Sequence, residues 1–286
     1  MNQGHLCRMF GVAAVYLAAA LPASALMLRC PPDSVKIGDV CIDKYESSIW
    51  QIPSGNAALV RGVQLGRVTL ADLTNGGATQ MSSAFNCSPT FSPTFEATGN
   101  WTSPLFGVSV AGVKPTSCVT WFQAEQACAL SGKRLLTNQE WQRAAAGTPD
   151  PGTDDGGTDC NIGGLGHPLD TGSRAKCMSN WGAFDMVGNV EEWVADWTAQ
   201  PTACPGWGAF NEDLMCLAGA SPTATGPGAL VRGGFFTGVF VEAGVFALDV
   251  ANPARVGRGI GFRCGRSSIS TLATTPTLPR GTFLNR

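Results

Sequence analysis

The cysteines constrain this chain most, because eleven of them occur in 286 residues and ten lie beyond residue 25. In an exported chain an even number is typical of a disulfide framework, here of up to five bonds. Ten cysteines allow too many pairings for the sequence alone to choose among them. No Cys-x-x-Cys spacing occurs, so the pattern predicts neither a redox-active pair nor a zinc ribbon.

The N-terminal residues have the three-part order of a secretory signal peptide. Arg8 precedes an apolar run over residues 10–21, and Ala23-Ser24-Ala25 follows as a small-x-small cleavage site. The run is too short to span a bilayer, so we predict a signal peptide over residues 1–25 and a secreted or periplasmic mature protein. The alternatives are an uncleaved N-terminal helix and a lipoprotein anchored at Cys30, whose preceding arginine disfavours it. No later segment is apolar enough to predict a membrane span.

The composition excludes several classes of function. Only 14% of the residues are charged and the formal net charge is −2, so the basic patch of a nucleic-acid-binding protein is missing. His167 is the only histidine beyond the signal peptide, which leaves no histidine-rich metal site and no G-x-S-x-G hydrolase triad. We place this histidine in a surface loop.

The pattern of residues predicts one domain over residues 26–266, followed by a flexible tail over 267–286. With 36 glycines and 18 prolines, long helices are interrupted throughout. Residues 33–50 alternate as one or two strands, with a turn at Gly38-Asp39. Residues 51–117 are rich in Gly, Ser, Thr, Asn and Pro, and we predict long loops with short strands there.

Two capping boxes predict the two helices of this domain. Thr120 and Gln123 begin a helix that ends near Gly132, and Thr137 and Glu140 begin a second one. The remainder, up to Cys264, is predicted as short strands and turns. An acidic loop lies within it, at Asp154, Asp155 and Asp159, and its spacing differs from that of an EF-hand, so we predict a solvated loop.

Three sequence blocks, in this order, resemble the sulfatase-modifying-factor, or formylglycine-generating-enzyme, domain family. Residues 119–147 contain VTWFQAEQACALSGKRLLTNQEWQRAAAG, residues 185–197 read DMVGNVEEWVADW, and residues 231–264 open with VRGG and close with GFRC. The resemblance extends over roughly residues 37–265. It implies a single α+β domain related to C-type lectins, with long loops and little regular structure.

The resemblance also implies a disulfide and the loss of another. A family disulfide corresponds to Cys128 and Cys264, which would join the first predicted helix to the last strand. The second family disulfide corresponds to Ala145 and Leu248, so both of its cysteines are replaced.

The catalytic residues of the family are replaced in this chain. Formylglycine-generating enzymes oxidise a substrate cysteine with two copper-binding cysteines after their RGGS segment, and the matching positions here are Gly238 and Ala243. The serine of RGGS is Phe235, and the tryptophan of GNVWEW is Glu191. We therefore predict no copper binding and no catalytic residues of the known kind.

A calcium site is better preserved. In the family, the DMxGNVxEW turn binds Ca²⁺, and the corresponding ligands are the side chains of Asp185 and Glu192 and the carbonyls of Gly188 and Val190. The alternative is a turn that binds no metal. A second family site would use Asn161-Ile162, although its acidic partner has no clear counterpart here.

These features leave two hypotheses of different classes. The first is an exported, calcium-stabilised binding or accessory module, with an unknown protein or small-molecule ligand, that has lost cysteine oxidation. The second is an oxidoreductase of altered chemistry that acts in the groove over residues 235–244, like the exported siderophore-maturation branch of the family.

Overall fold

The fold is known from a computed structural model, which describes residues 29–81, 87, 104–150, 152–163, 165–199, 209–211, 213, 226–237 and 242–268. The predicted signal peptide, the tail beyond Ser268, Gly238, Cys204 and Cys216 lie outside these residues. Within the described parts, no helix has both the length and the apolar character that a membrane span requires.

Fifteen short elements follow one another along the described chain. The strands are β1 (Ser34–Ile37), β2 (Val40–Asp43), β3 (Ser48–Gln51), β4 (Thr79–Gln80), β5 (Leu105–Val108), β6 (Arg134–Leu135), β7 (Glu191–Ala199), β8 (Pro227–Arg232), β9 (Leu248–Ala251), β10 (Ile260–Phe262) and β11 (Cys264–Ser267). The helices are α1 (Ala57–Gln64), α2 (Leu70–Asn75), α3 (Trp121–Leu130) and α4 (Asn138–Ala145). The α+β class predicted from the sequence is confirmed.

The strands form three small sheets, with the orders β1-β2-β11-β6, β10-β7-β8-β9 and β4-β3-β5. In the first sheet, β11 lies between β2 and β6, so the last described strand pairs with one of the first. In the second sheet, β10 pairs parallel with β7, while β7, β8 and β9 are antiparallel. This sheet carries Glu191 and Glu192 on β7 and Asp249 on β9.

The helices predicted from capping boxes begin where the sequence indicates. Thr120 accepts from the backbone of Gln123, whose side chain returns a bond to the Thr120 N–H, and α3 buries Ala124, Ala127 and Cys128. Thr137 and Glu140 cap α4 in the same way. Each box satisfies two backbone N–H groups that would otherwise lack partners.

The prediction that residues 51–117 lack helices is wrong, because this region contains α1 and α2. The Asn56 side chain accepts from Leu59 N–H at the start of α1, and Thr69 and Asp72 form a capping box at the start of α2. Leu59, Val63 and Leu73 are buried against strands β3 and β5. Burial of one apolar face stabilises helices that are too short to be stable alone.

Four disulfides cross-link the described residues: Cys30–Cys41, Cys87–Cys118, Cys128–Cys264 and Cys160–Cys177. The third is the bond that the family resemblance implies, with 5.6 Å between its Cα atoms, and it joins α3 to β11 in the middle of the core. The core cluster around it contains Trp193 and Phe262, both fully buried. The bond therefore fixes the last described strand to a helix from the middle of the chain.

Candidate functional site

The turn before β7 has a backbone that only particular residues adopt easily. Asp185, Gly188 and Asn189 all have positive φ angles, of 57°, 73° and 56°. Asp and Asn tolerate this left-handed conformation better than most residues, and glycine adopts it freely. A Cβ atom at Gly188 would also overlap the carbonyl of Asn161. The turn therefore requires the residue types that the family motif places there.

Glu192 follows the turn and is held by a buried arginine. The guanidinium of Arg263 donates from Nη2 to Glu192 Oε1 at 2.8 Å, and from Nε to both carboxylate oxygens. The indole N–H of Trp141 donates to Glu192 Oε2, also at 2.8 Å. Both charged side chains are almost fully buried. Either charge buried without the other would be strongly destabilising, and the ion pair offsets the cost of removing both from water.

Two further carboxylates lie near this pair. Glu46 is buried and accepts from the Val190 N–H at 3.0 Å and from the Asn189 side chain. Burial, together with repulsion from Asp185 and Glu192, raises the pKa of Glu46 well above its usual range. Burial likewise raises the pKa of Asp185 to about 6. Glu46, Asp185 and Glu192 thus lie near Arg263, and Arg174 also interacts electrostatically with Asp185.

The calcium ligands predicted from the family turn lie within this network. The Asp185 side chain accepts from the Gly172 N–H at 2.7 Å, and Glu192 is engaged by Arg263 and Trp141. Among the residues that the structure describes, no three acidic, histidine or cysteine side chains are grouped to hold a metal ion. Two carboxylates and two carbonyls supply the oxygen donors and the negative charge that calcium requires. To bind the ion, Glu192 would have to give up its present bonds to Arg263 and Trp141.

The other candidate residues have structural contacts. The Asn161 side chain donates to the His167 carbonyl and to Asn189, which ties the second candidate calcium segment to the turn. His167 is exposed, as expected for a surface loop.

Asp155, in the acidic loop, accepts from backbone N–H groups of its own loop. The fully solvated loop predicted there is wrong for Asp154, because its carboxylate is buried 3.4 Å from Arg174.

A cavity of about 240 Å³ lies beside β7, β8 and β9, next to the segment that carries the two positions matched to the family's cysteines. Gly234, Phe235 and Glu242 line it on that side. Ala243, at one of the two cysteine positions, is fully buried. Its backbone lies so close to Gly234 that a side chain in place of Gly234 would not fit. Gly238, at the other position, lies outside the described residues.

Charged side chains line this cavity together with apolar ones. The carboxylates belong to Glu191, Glu242 and Asp249, and the guanidinium groups to Arg255 and Arg258. Burial and repulsion from Asp249 raise the pKa of Glu191 to about 8, and burial raises the pKa of Asp249 to about 7.

From the sequence, Glu191 is identified only as the replacement of the family tryptophan, and nothing there points to Asp249 as a site residue. No local signal in the sequence singles out Glu191, because only three of the nine residues of β7 are buried.

The comparisons with known proteins agree with the motifs. The family model described as "Sulfatase-modifying factor enzyme 1-like domain" matches residues 67–268. The formylglycine-generating enzyme of Thermomonospora curvata is 30% identical over 140 residues, which are 43% of this chain and 44% of that protein. The serine/threonine-protein kinase pkn1 of Chlamydia pneumoniae is 27% identical over 170 residues, which are 54% of this chain and 24% of that protein. The chain thus spans less than half the length of these relatives.

Among solved structures, PvdO from Pseudomonas aeruginosa superposes with a TM-score of 0.39 and 17% sequence identity. The superposition covers 82% of this chain and 98% of that protein.

Proposed function

The chain belongs to the sulfatase-modifying factor enzyme 1-like family, and we propose that it is an exported binding or accessory module that does not oxidise cysteine to formylglycine. The observation that carries this proposal is the replacement of both catalytic cysteines. Gly238 and Ala243 stand at these positions, and no cysteine occurs between Cys216 and Cys264. Without thiolates in the groove, neither copper binding nor disulfide exchange with a substrate cysteine is available.

The disulfides support export. Eight cysteines are paired in the described residues. Such bonds persist in oxidising compartments and are rare in the cytosol. Together with the predicted signal peptide over residues 1–25, they favour a secreted or periplasmic protein.

The lost activity is tested by peptide mass. We expect the mature, oxidised protein, supplied with copper and oxygen, to leave a Cys-x-Pro-x-Arg peptide unchanged. The formylglycine-generating enzyme of Thermomonospora curvata, run in parallel, is the positive control. Conversion of the peptide cysteine to formylglycine would contradict the proposal, because it would require a catalytic group other than the missing cysteine pair.

We also propose that calcium stabilises the turn before β7. Asp185, Glu192 and the carbonyls of Gly188 and Val190 would hold the ion, whose two positive charges would offset those of the buried carboxylates. In support, burial and mutual repulsion raise the pKa values of Glu46 and Asp185, and a bound cation would favour their ionised forms. Calcium in this role is structural.

Calcium removal gives the test of that site. We expect calcium at about 100 times its dissociation constant to stabilise the fold by about 3 kcal/mol over the same protein in chelator, a rise in Tm of several degrees. The matched variant is Asp185→Asn, which keeps an amide oxygen and tolerates the positive φ angle but lacks the charge, and its calcium-induced rise should be smaller. Magnesium is the control ion. A Tm that is the same in calcium and in chelator would contradict calcium binding.

A second candidate function is an oxidoreductase of altered chemistry in the same groove. The observation in its favour is the pair Glu191 and Asp249, because carboxyl groups with pKa values near neutrality suit acid–base chemistry. A redox metal or a flavin that copurifies with the protein would favour this function. Calcium as the sole bound cofactor would favour the binding module.

A further inference from the structure

Three aromatic side chains form an exposed cluster where the first turn of α3 meets β7. The ring centres of Trp121, Phe122 and Trp197 lie 5.1–5.8 Å apart, and each pair of rings meets at 75–86°. Phe122 is 42% exposed and Trp197 is 41% exposed. Single apolar side chains are common on protein surfaces, whereas a group of large aromatic ones is typical of an interaction site.

The fold holds this aromatic cluster in place. The backbone N–H of Trp121 donates to the carbonyl of Pro253, and its indole N–H donates to the carbonyl of Val194 at 2.8 Å. The Trp121 ring is partly buried against the core cluster around the Cys128–Cys264 disulfide. Because the rings are already ordered by these contacts, a segment that packs on them loses little free energy to ordering of their side chains.

The chain contains a segment of matching chemistry beyond the described residues. Residues 269–286 read ISTLATTPTLPRGTFLNR, with a Pro-x-x-Pro spacing at Pro276 and Pro279. Such segments favour the extended polyproline II conformation, and their prolines pack on exposed aromatic side chains. Five of these eighteen residues are Ile, Leu or Phe, so burial of part of the segment is favourable.

The segment is long enough to reach the aromatic cluster. The described chain continues to Ser268, next to the end of β11. A path along β11, across the Cys128–Cys264 disulfide and back along α3 joins Ser268 to Trp121 within about 30 Å, which is an upper limit to their direct distance. Pro279 follows Ser268 by eleven residues, and an extended chain of that length spans about 35 Å.

We propose that Pro276 and Pro279 dock on the aromatic cluster of Trp121, Phe122 and Trp197 in the same chain. The cluster is then a proline-binding surface whose ligand is built into the chain. A polyproline II segment needs no hydrogen bonds of its own, which agrees with the Ser, Thr and Pro content of residues 269–286. This inference goes beyond the proposed function and involves neither the calcium ligands nor the cavity beside β8 and β9.

Trypsin tests the docking in the mature, oxidised full chain. Arg280 is the only lysine or arginine between residues 269 and 285, so one cut releases residues 281–286. At an effective concentration of about 1 mM, an intrinsic dissociation constant of about 0.1 mM leaves the segment free about a tenth of the time. We therefore expect release about tenfold slower than from the synthetic peptide 269–286. Equal rates would overturn the inference.

Variants show whether the aromatic cluster is the protecting surface. Trp197→Ala, Phe122→Ala and Pro276→Ala should each raise the rate of release at least about threefold. Trp181→Ala is the matched control, because this tryptophan is 45% exposed and lies outside the cluster, and its rate should be unchanged. Thermal unfolding shows which variants keep the fold. Slow release in a folded cluster variant would mean that another surface protects the segment, which contradicts the inference.

A photo-crosslink locates the segment directly. Leu278→p-benzoylphenylalanine places the reactive group between the two prolines. We expect a crosslink within one chain, to a peptide that contains Phe122 or Trp197. A crosslink between two chains would assign the cluster to a second copy, and a crosslink to another part of the same chain would place the segment elsewhere. Either result would overturn the inference.

Discussion

Replacing Cys128 and Cys264 together by alanine is expected to lower the free energy of unfolding by about 4–5 kcal/mol, the largest loss for any disulfide in the described domain. The reason is the length of chain that the bond closes. The two cysteines are 136 residues apart, so the bond removes much conformational freedom from the unfolded chain. Urea denaturation followed by tryptophan fluorescence measures the difference.

The Cys30–Cys41 disulfide provides the matched control. It closes only 11 residues, and its replacement by two alanines should cost about 3 kcal/mol or less in the same chain-entropy model. The long bond encloses Cys160–Cys177, which shortens its effective loop only slightly. Equal losses for the long and the short disulfide would show that local packing, and not loop length, determines their contribution.

Replacing Arg263 by methionine is expected to lower the free energy of unfolding by about 3–5 kcal/mol, because Glu192 would keep its charge without a partner. Arg263 also donates to the carbonyl of Asp43 at 3.0 Å and to that of Phe184 at 2.7 Å. It therefore connects β7 to the end of β2 and to the turn before β7. Denaturation in urea, with circular dichroism to establish folding, measures the loss.

A double-mutant cycle separates the ion pair from the packing of the arginine. Glu192→Gln removes the charge and keeps an oxygen for the Trp141 N–H. If the unpaired charge dominates, adding Glu192→Gln to Arg263→Met should recover part of the loss. Strictly additive losses would mean that the Arg263 bonds to the two carbonyls carry the effect.

Local signals in the sequence were sufficient for much of the regular structure. The Thr120 and Thr137 capping boxes set the start of α3 and α4 because the cap and its return bond involve residues only three apart. The Gly38-Asp39 turn predicted the β1–β2 hairpin, whose glycine has a φ angle of 63°. The family resemblance, not the spacing, supplied the pairing of Cys128 with Cys264.

Contacts between distant residues explain what the sequence did not reveal. The α1 and α2 helices form in a region of loop-like composition because Leu59 and Leu73 are buried against strands formed elsewhere in the chain. Lys133 contacts Asp33 and Asp43 in a buried cluster, at 2.7 and 2.5 Å, which no local spacing indicates.

The same limit applied to the candidate site. The motif identifies Glu192 as a candidate ligand. Nothing in the GFRC segment indicates that its arginine, Arg263, pairs with Glu192 from 71 residues away. Glu191 and Asp249 are brought to one cavity by the pairing of β7, β8 and β9.

The position of β11 between β2 and β6 has a consequence for biosynthesis. About 220 residues separate the end of β2 from the start of β11. At a synthesis rate of roughly 5–20 residues per second, β2 waits some 10–40 seconds for its neighbour. During that interval the backbone of Ile42 lacks its pairing with Gly265 of β11, and Cys128 lacks its native disulfide partner. The first sheet therefore reaches its native strand order only after nearly the whole domain has been synthesised.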